Sequence, residues 1–235
     1  MTRTALVTGA SGGIGLGVSR ALFAERFRLV LACRDPYVID VQGEFNDEPW
    51  EVAMDVGGSR SVQETVNMVE GDSWKIDTLV LCHAAAAGTD LLNSLIVDVY
   101  GAWNVIEAVL PGMVRQGFGR IVLFSSIRAH HPRPGQEAYA TAKSAIEGLT
   151  RALAVDYGPH GILTNCIAPG AVLTPRTLAN IAAGVVSEAE LLARTPTGRL
   201  ATVDDVARAV LWLVSDECPV NGKIITVDGG WSENG

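Results

Sequence analysis

Positive charge is scarce in this chain: 18 Lys and Arg stand against 26 Asp and Glu in 235 residues, a net charge of −8 at pH 7. No basic cluster interrupts that balance along the sequence, which argues against nucleic acid or an anionic membrane surface as a partner. Uninterrupted apolar runs of about 18 residues, the length a membrane-spanning helix needs, are missing as well, so no membrane segment is expected. The amino terminus enters an apolar segment at once, with one arginine and no small-residue cleavage pattern. It reads as a first strand and not as a secretion signal. Cysteine is sparse: Cys33, Cys82, Cys166 and Cys218 are scattered without a Cys-x-x-Cys pair. Neither a disulfide framework nor a thiolate metal site is expected, and reduced, mostly buried thiols of a cytoplasmic protein are. His130 and His131 are adjacent and have no third ligand nearby, so no metal is assigned to them. Aromatic residues are few, at 6%, while 48% of the chain is hydrophobic. Ala, Val and Leu make up much of that share, which suits a close-packed α/β core.

Hydrophobic periodicity alternates along most of the length. Short apolar runs predict strands at residues 4–8, 28–32, 51–54, 79–81, 120–124, 163–167 and 223–227. Helical patterns fall at 14–27, at 138–157 and at 203–214, the last capped by Thr202. In the 138–157 helix, Ile146, Leu149, Leu153 and Val155 are the expected core residues, and Gly158-Pro159 ends it. Strands apolar on both faces and alternating with helices imply a parallel sheet covered on both sides. No repeat, linker or charge block marks a boundary, so residues 1–235 read as a single domain: a doubly wound α/β sheet of the Rossmann type.

Two motifs carry chemistry. The first strand runs into Thr8-Gly9-Ala10-Ser11-Gly12-Gly13-Ile14-Gly15 and then a helix. Glycines there let backbone amides approach a pyrophosphate, and the helix N-terminus adds partial positive charge, so a dinucleotide is expected. The second motif is Tyr139-Ala140-Thr141-Ala142-Lys143. At i and i+4 the two side chains share a helix face, and an ammonium beside a phenol favours the phenolate. Such a tyrosine can exchange a proton with an alcohol or carbonyl oxygen near neutral pH.

Taken in order, these motifs resemble the short-chain dehydrogenase/reductase family over nearly the full chain, and within it the 3-oxoacyl-[acyl-carrier-protein] reductase-like subgroup. Thr8–Gly15 matches the cofactor turn, with Gly9, Ser11, Gly13, Ile14 and Gly15 as contacts. Asp55-Val56 matches the adenine site, and Ala84 follows the fourth strand. Ser126, thirteen residues before Tyr139, matches the substrate-orienting serine, with Ser125 as its neighbouring competitor. The stretch from Asn165 to Thr174, through Pro169, Gly170 and Val172, matches the loop around the nicotinamide. Gly198-Arg199-Leu200, Ser215-Asp216 and Val227-Asp228-Gly229-Gly230 match the C-terminal part. The resemblance implies a carbonyl/secondary-alcohol oxidoreductase using NAD(P), with Tyr139 as acid or base. Lys143 would tune it and hold the nicotinamide ribose, and Ser126 would orient the substrate oxygen. At the end of the second strand the family's NAD-selecting acid is replaced by Cys33, and Arg34 suits a 2′-phosphate. NADP is therefore favoured, although Asp35 keeps NAD open.

Two features depart from the family. Its usual Asn-Asn-Ala-Gly is replaced by Leu81-Cys82-His83-Ala84-Ala85, where His83 is read as a packing or hydrogen-bonding residue. The asparagine of the proton relay is replaced by Asp98, expected to keep the relay role. Residues 176–195 are expected to cover a mainly hydrophobic pocket for a small carbonyl or alcohol substrate. A homotetramer or dimer is expected from relatives. A dinucleotide-binding sensor or scaffold without turnover is the rival reading.

Overall fold

The computed structural model describes residues 2–36, 49–72 and 74–234. Seven parallel strands form one sheet: β1 (Thr4–Thr8), β2 (Arg28–Cys33), β3 (Trp50–Ala53), β4 (Ile76–Leu81), β5 (Gly119–Phe124), β6 (Ile162–Pro169) and β9 (Ile224–Val227). Their order is β3-β2-β1-β4-β5-β6-β9, so the chain reverses direction across the sheet between β1 and β4. Ligands of doubly wound sheets bind at that crevice, beyond the carboxyl ends of the strands. A separate pair, β7 (Val172–Leu173) and β8 (Ala201–Thr202), closes the loop after β6.

Helices cover both faces because strands β1, β4 and β5 are buried along their whole length. On one side α2 (Ser59–Gly71), α4 (Gly101–Gln116) and α5 (Glu137–Tyr157) pack over Leu6, Leu79, Ile121 and Ile162. On the other, α1 (Gly13–Ala24) and α8 (Val203–Val214) pack over Val7, Val80, Val122 and Ile167. Gly17 allows these last two to meet, since a Cβ there would run into Val203. The predicted cap of α8 is present: Thr202 accepts from Asp205 N–H, and Asp205 accepts in return from Thr202 N–H. Arg199 lies on the same Asp205 carboxylate at 2.6 Å and holds it far below the usual carboxylate range.

One expected core residue is corrected. Ile146 and Leu153 are buried and Leu149 packs against them, but Val155 is 75% exposed. It lies two residues past Leu153, about 200° around the helix, and so points away from the sheet. The stretch Leu91–Gln116 is long and apolar enough to cross a membrane by length and composition. Half of its apolar window is buried, its contacts run to α2, α5, β4 and β5, and it buries Asp98 and Asn104. It is a core element of the sheet's cover.

Candidate active site

The glycine turn leaves β1 with Gly9 at φ +65°, where an added Cβ would stand 2.7 Å from the His83 backbone nitrogen. Only glycine lets the turn lie that close to the end of β4. A Cβ on Gly15 would collide with the Gly9 carbonyl, and one on Gly13 would touch Thr174 and Pro175. Gly12 is the N-cap of α1 and offers no side-chain acceptor to the first-turn amides, the arrangement an anion completes. Gly9, Ser11, Gly13, Ile14 and Gly15 thus form a tight turn that presents the uncapped N-terminus of α1.

The other predicted cofactor residues flank that turn. Arg34 is exposed at the end of β2, and the Cys33 thiol beside it is hydrogen-bonded with Ser11 and donates to the Asp35 carbonyl at 3.0 Å. Asp55 is exposed after β3, where its carboxylate accepts from Gly57 N–H at 3.1 Å, and Val56 is buried behind it. Nearer the sheet's centre one cleft is lined by Ile14, Ala84, Ser126, Tyr139, Lys143, Pro169, Gly170, Val172 and Thr174. Nine residues predicted from five separate segments therefore face a common space. The same cleft is walled by Ser125, by Cys82 and His83 of the stretch that departs from the family, and by Phe124 and Thr177, which carried no motif.

Within it, α5 brings the Lys143 ammonium 5.7 Å from the centroid of the Tyr139 ring. Lys143 is 3% exposed and donates to the Phe124 carbonyl at 3.2 Å. Its counter-charge is Asp98, 2% exposed, with Oδ2 at 3.3 Å. That contact is an ion pair without hydrogen-bond geometry, because Oδ2 has no donor aimed at it. Asp98 Oδ1 accepts from Ala85 N–H at 2.6 Å. The backbone explains the approach: residues Leu95–Tyr100 form a π-helical segment between α3 (Leu91–Ser94) and α4. Its extra residue rotates Asp98 inward.

His83 replaces the expected asparagines as a fastener. Its Nδ1 lies 2.6 Å from the Thr8 hydroxyl, and the Val97 carbonyl gives the ring partial electrostatic support. Burial, then the Lys143 charge, push its pKa down to about 3, against the partial support of the Val97 carbonyl. His83 is therefore neutral, as suits a hydrogen-bonding residue. Ser125 and Ser126 both line the cleft with Tyr139, and their hydrogen bonds differ. Ser126 Oγ accepts from Arg128 N–H at 3.2 Å, whereas the Ser125 hydroxyl is engaged as a donor by the Lys143 carbonyl and the buried Glu147, both at 3.0 Å.

The expectation of no basic cluster needs one correction. Arg128 and Arg133 lie in the loop after β5 and Arg194 in a distant segment, and the charges of Arg133 and Arg194 both act on Arg128. Sequence spacing could not show a patch assembled by the fold, although Arg128, His130, His131 and Arg133 together were a signal.

Comparison with known proteins agrees with this geometry. A family model described as enoyl-(acyl carrier protein) reductase matches residues 9–232. The chain is 34% identical over 243 residues to the acetoacetyl-CoA reductase of Shinella zoogloeoides, with 98% of each covered. It is 34% identical over 246 residues to Oxidoreductase UcpA of Salmonella typhimurium, covering 97% of this chain and 94% of that one. The fold matches a 3-oxoacyl (acyl-carrier-protein) reductase of Agrobacterium tumefaciens C58 with NADP bound at a TM-score of 0.88 and 26% identity, covering 97% and 93% of the two chains. With sheet order, glycine turn and full-length sequence similarity in agreement, the chain belongs to the short-chain dehydrogenase/reductase family of oxidoreductases.

Proposed function

We propose that the chain interconverts a ketone and a secondary alcohol with NADP(H), Tyr139 giving the proton in reduction and taking it in oxidation. The observation that carries this reading is the buried Lys143 ammonium set against the Tyr139 ring in a cleft shared with Ser126. In reduction the Tyr139 hydroxyl protonates the carbonyl oxygen, and the Lys143 charge stabilises the phenolate left behind. Ser126 Oγ, which accepts from Arg128 N–H, retains its own O–H to donate to that oxygen and fix its orientation. The glycine turn and the 169–174 loop would hold the cofactor, which would supply the hydride. Arg34 favours the 2′-phosphate of NADP, since position 33 offers a thiol and no carboxylate. The NADP-bound Agrobacterium relative supports the same choice. A cytoplasmic protein assembled as a tetramer or dimer belongs to this reading, with Tyr100 exposed just before α4 and Val155 exposed on α5.

NADPH consumption with a panel of activated ketones tests it. The wild type is expected to turn over and to prefer NADPH to NADH. Tyr139→Phe is expected to bind cofactor normally and lose about a hundred- to ten-thousandfold in kcat. Cofactor binding by the wild type with no turnover on any ketone would replace this reading with the sensor or scaffold.

A further inference from the structure

Glu147 is a buried acid with no part in the proton and hydride transfers. It lies one turn past Lys143 on α5 and is 2% exposed. Its carboxylate engages three side chains. Ser125 Oγ donates to Oε1 at 3.0 Å, and the same hydroxyl lies 3.0 Å from the Lys143 carbonyl. His130 Nε2 lies 3.0 Å from Oε1 and 2.9 Å from Oε2. A carboxylate only accepts, so that nitrogen carries the shared hydrogen. Arg151, one turn further along α5, donates to Oε2 at 3.3 Å from an exposed position. Stability alone does not call for this arrangement, because well-packed apolar residues often replace a buried ion pair at no loss. Its place in the fold says more. Ser125 and His130 bracket Ser126 and the short turn Ile127–Ala129, while Tyr139 and Lys143 precede Glu147 on its own helix.

We infer that Glu147 is a positioning residue: by gripping Ser125 at one end of the loop and His130 at the other, it fixes Ser126 relative to Tyr139 and Lys143. The substrate oxygen must meet the Ser126 and Tyr139 hydroxyls together, and these arrive on different elements, the end of β5 and α5. A displacement of about 1 Å in such a constellation can cost about a hundredfold in rate. Glu147 joins the two elements directly. A separate bond, from Ser144 Oγ to the Ala129 carbonyl at 3.1 Å, keeps the turn against α5 when Glu147 is changed. Loss of the carboxylate therefore loosens the loop without detaching it. The catalytic consequence rests on the carbonyl-reduction reading; the grip itself does not.

Hydrogen exchange and turnover of Glu147→Leu, Glu147→Gln and His130→Ala test the grip. The amides of Arg128, Ala129, His130 and His131 all bond within the turn. They are expected to exchange about tenfold faster or more in Glu147→Leu, with β5, β6 and the rest of α5 unchanged. With NADPH and an activated ketone, Glu147→Leu is expected to lose at least about tenfold in kcat at unchanged NADPH affinity. Glu147→Gln keeps an acceptor for Ser125 and His130, and its kcat is expected to return to within about threefold of the wild type. Unchanged loop exchange, faster exchange spread across α5 and the sheet, wild-type kcat beside a loosened loop, or Glu147→Gln as slow as Glu147→Leu would overturn the positioning role. The His130 ring is 59% exposed, so His130→Ala keeps the test open should the buried substitution fail to fold. Faster loop exchange with kcat at least about threefold lower in that variant supports the grip, and wild-type values of either overturn it. A wild type that turns over no ketone overturns the reductase reading, and loop exchange then decides the grip by itself.

Discussion

Asp98 is the residue at which this chain tests its family's chemistry. A carboxylate replaces an amide next to a buried ammonium, so the Lys143 charge reaching Tyr139 is partly compensated. The ion pair is buried on both sides, where removing one partner typically costs about 3–5 kcal/mol because the other is left uncompensated. Asp98→Ala should therefore destabilise the fold by several kcal/mol and lower kcat together. Asp98→Asn should behave differently. Its amide oxygen can still accept from Ala85 N–H, and Lys143 keeps the Phe124 carbonyl. With the negative charge gone, Lys143 loses its counter-charge but keeps its place, so unfolding stability should fall less than in Asp98→Ala and kcat should be largely retained. An Asp98→Asn variant as unstable and as slow as Asp98→Ala would show that the carboxylate's charge, and not its acceptor, is what the site needs.

The elements show why some of this was legible in the sequence and some was not. Strands β1, β2 and β5 and the Thr202 cap were readable because burial on both faces and capping chemistry act within a few residues. The Ser126, Tyr139 and Lys143 set was readable because family spacing encodes it. The π-helical turn at Leu95–Tyr100 was not, since one extra residue per turn leaves no periodic trace in so short a stretch. Nor was the Arg128–Trp231–Arg194 contact, which joins three segments through tertiary packing. The glycine turn was legible as a motif, and the structure adds the reason for each glycine. Gly15→Ala places a methyl on the Gly9 carbonyl, so the turn must open where the amides converge. NADPH affinity is expected to fall at least about tenfold while unfolding stability drops by about 1–3 kcal/mol. Fluorescence titration and urea unfolding measure the two, and unchanged affinity would remove the turn from the cofactor site.

At the scale of the molecule, His83 ties the segment that follows β4 to β1 through Thr8, where the sheet reverses direction. Its folded pKa of about 3 lies below the ordinary 6.5. An unfolded chain therefore takes up a proton on His83 in a window where the native state refuses it. The contribution is fully present above about pH 6.5 and is lost as pH falls towards about 3. Each pH unit in that window is worth up to about 1.4 kcal/mol. The ring borders the open cleft and solvent there moderates the penalty, so a loss of about 2 kcal/mol between pH 7 and pH 4 is the expected size. Carboxylates such as Asp205, held low by Arg199, add their own acid sensitivity, but at lower pH. His83→Asn separates the two: an amide can bond the Thr8 hydroxyl without titrating. Urea unfolding of both proteins at neutral and mildly acidic pH should show a shallower fall for His83→Asn, whatever its stability at neutrality. Parallel falls would mean that the fold's acid limit is set by its carboxylates, and that His83 is a fastener whose charge state does not matter.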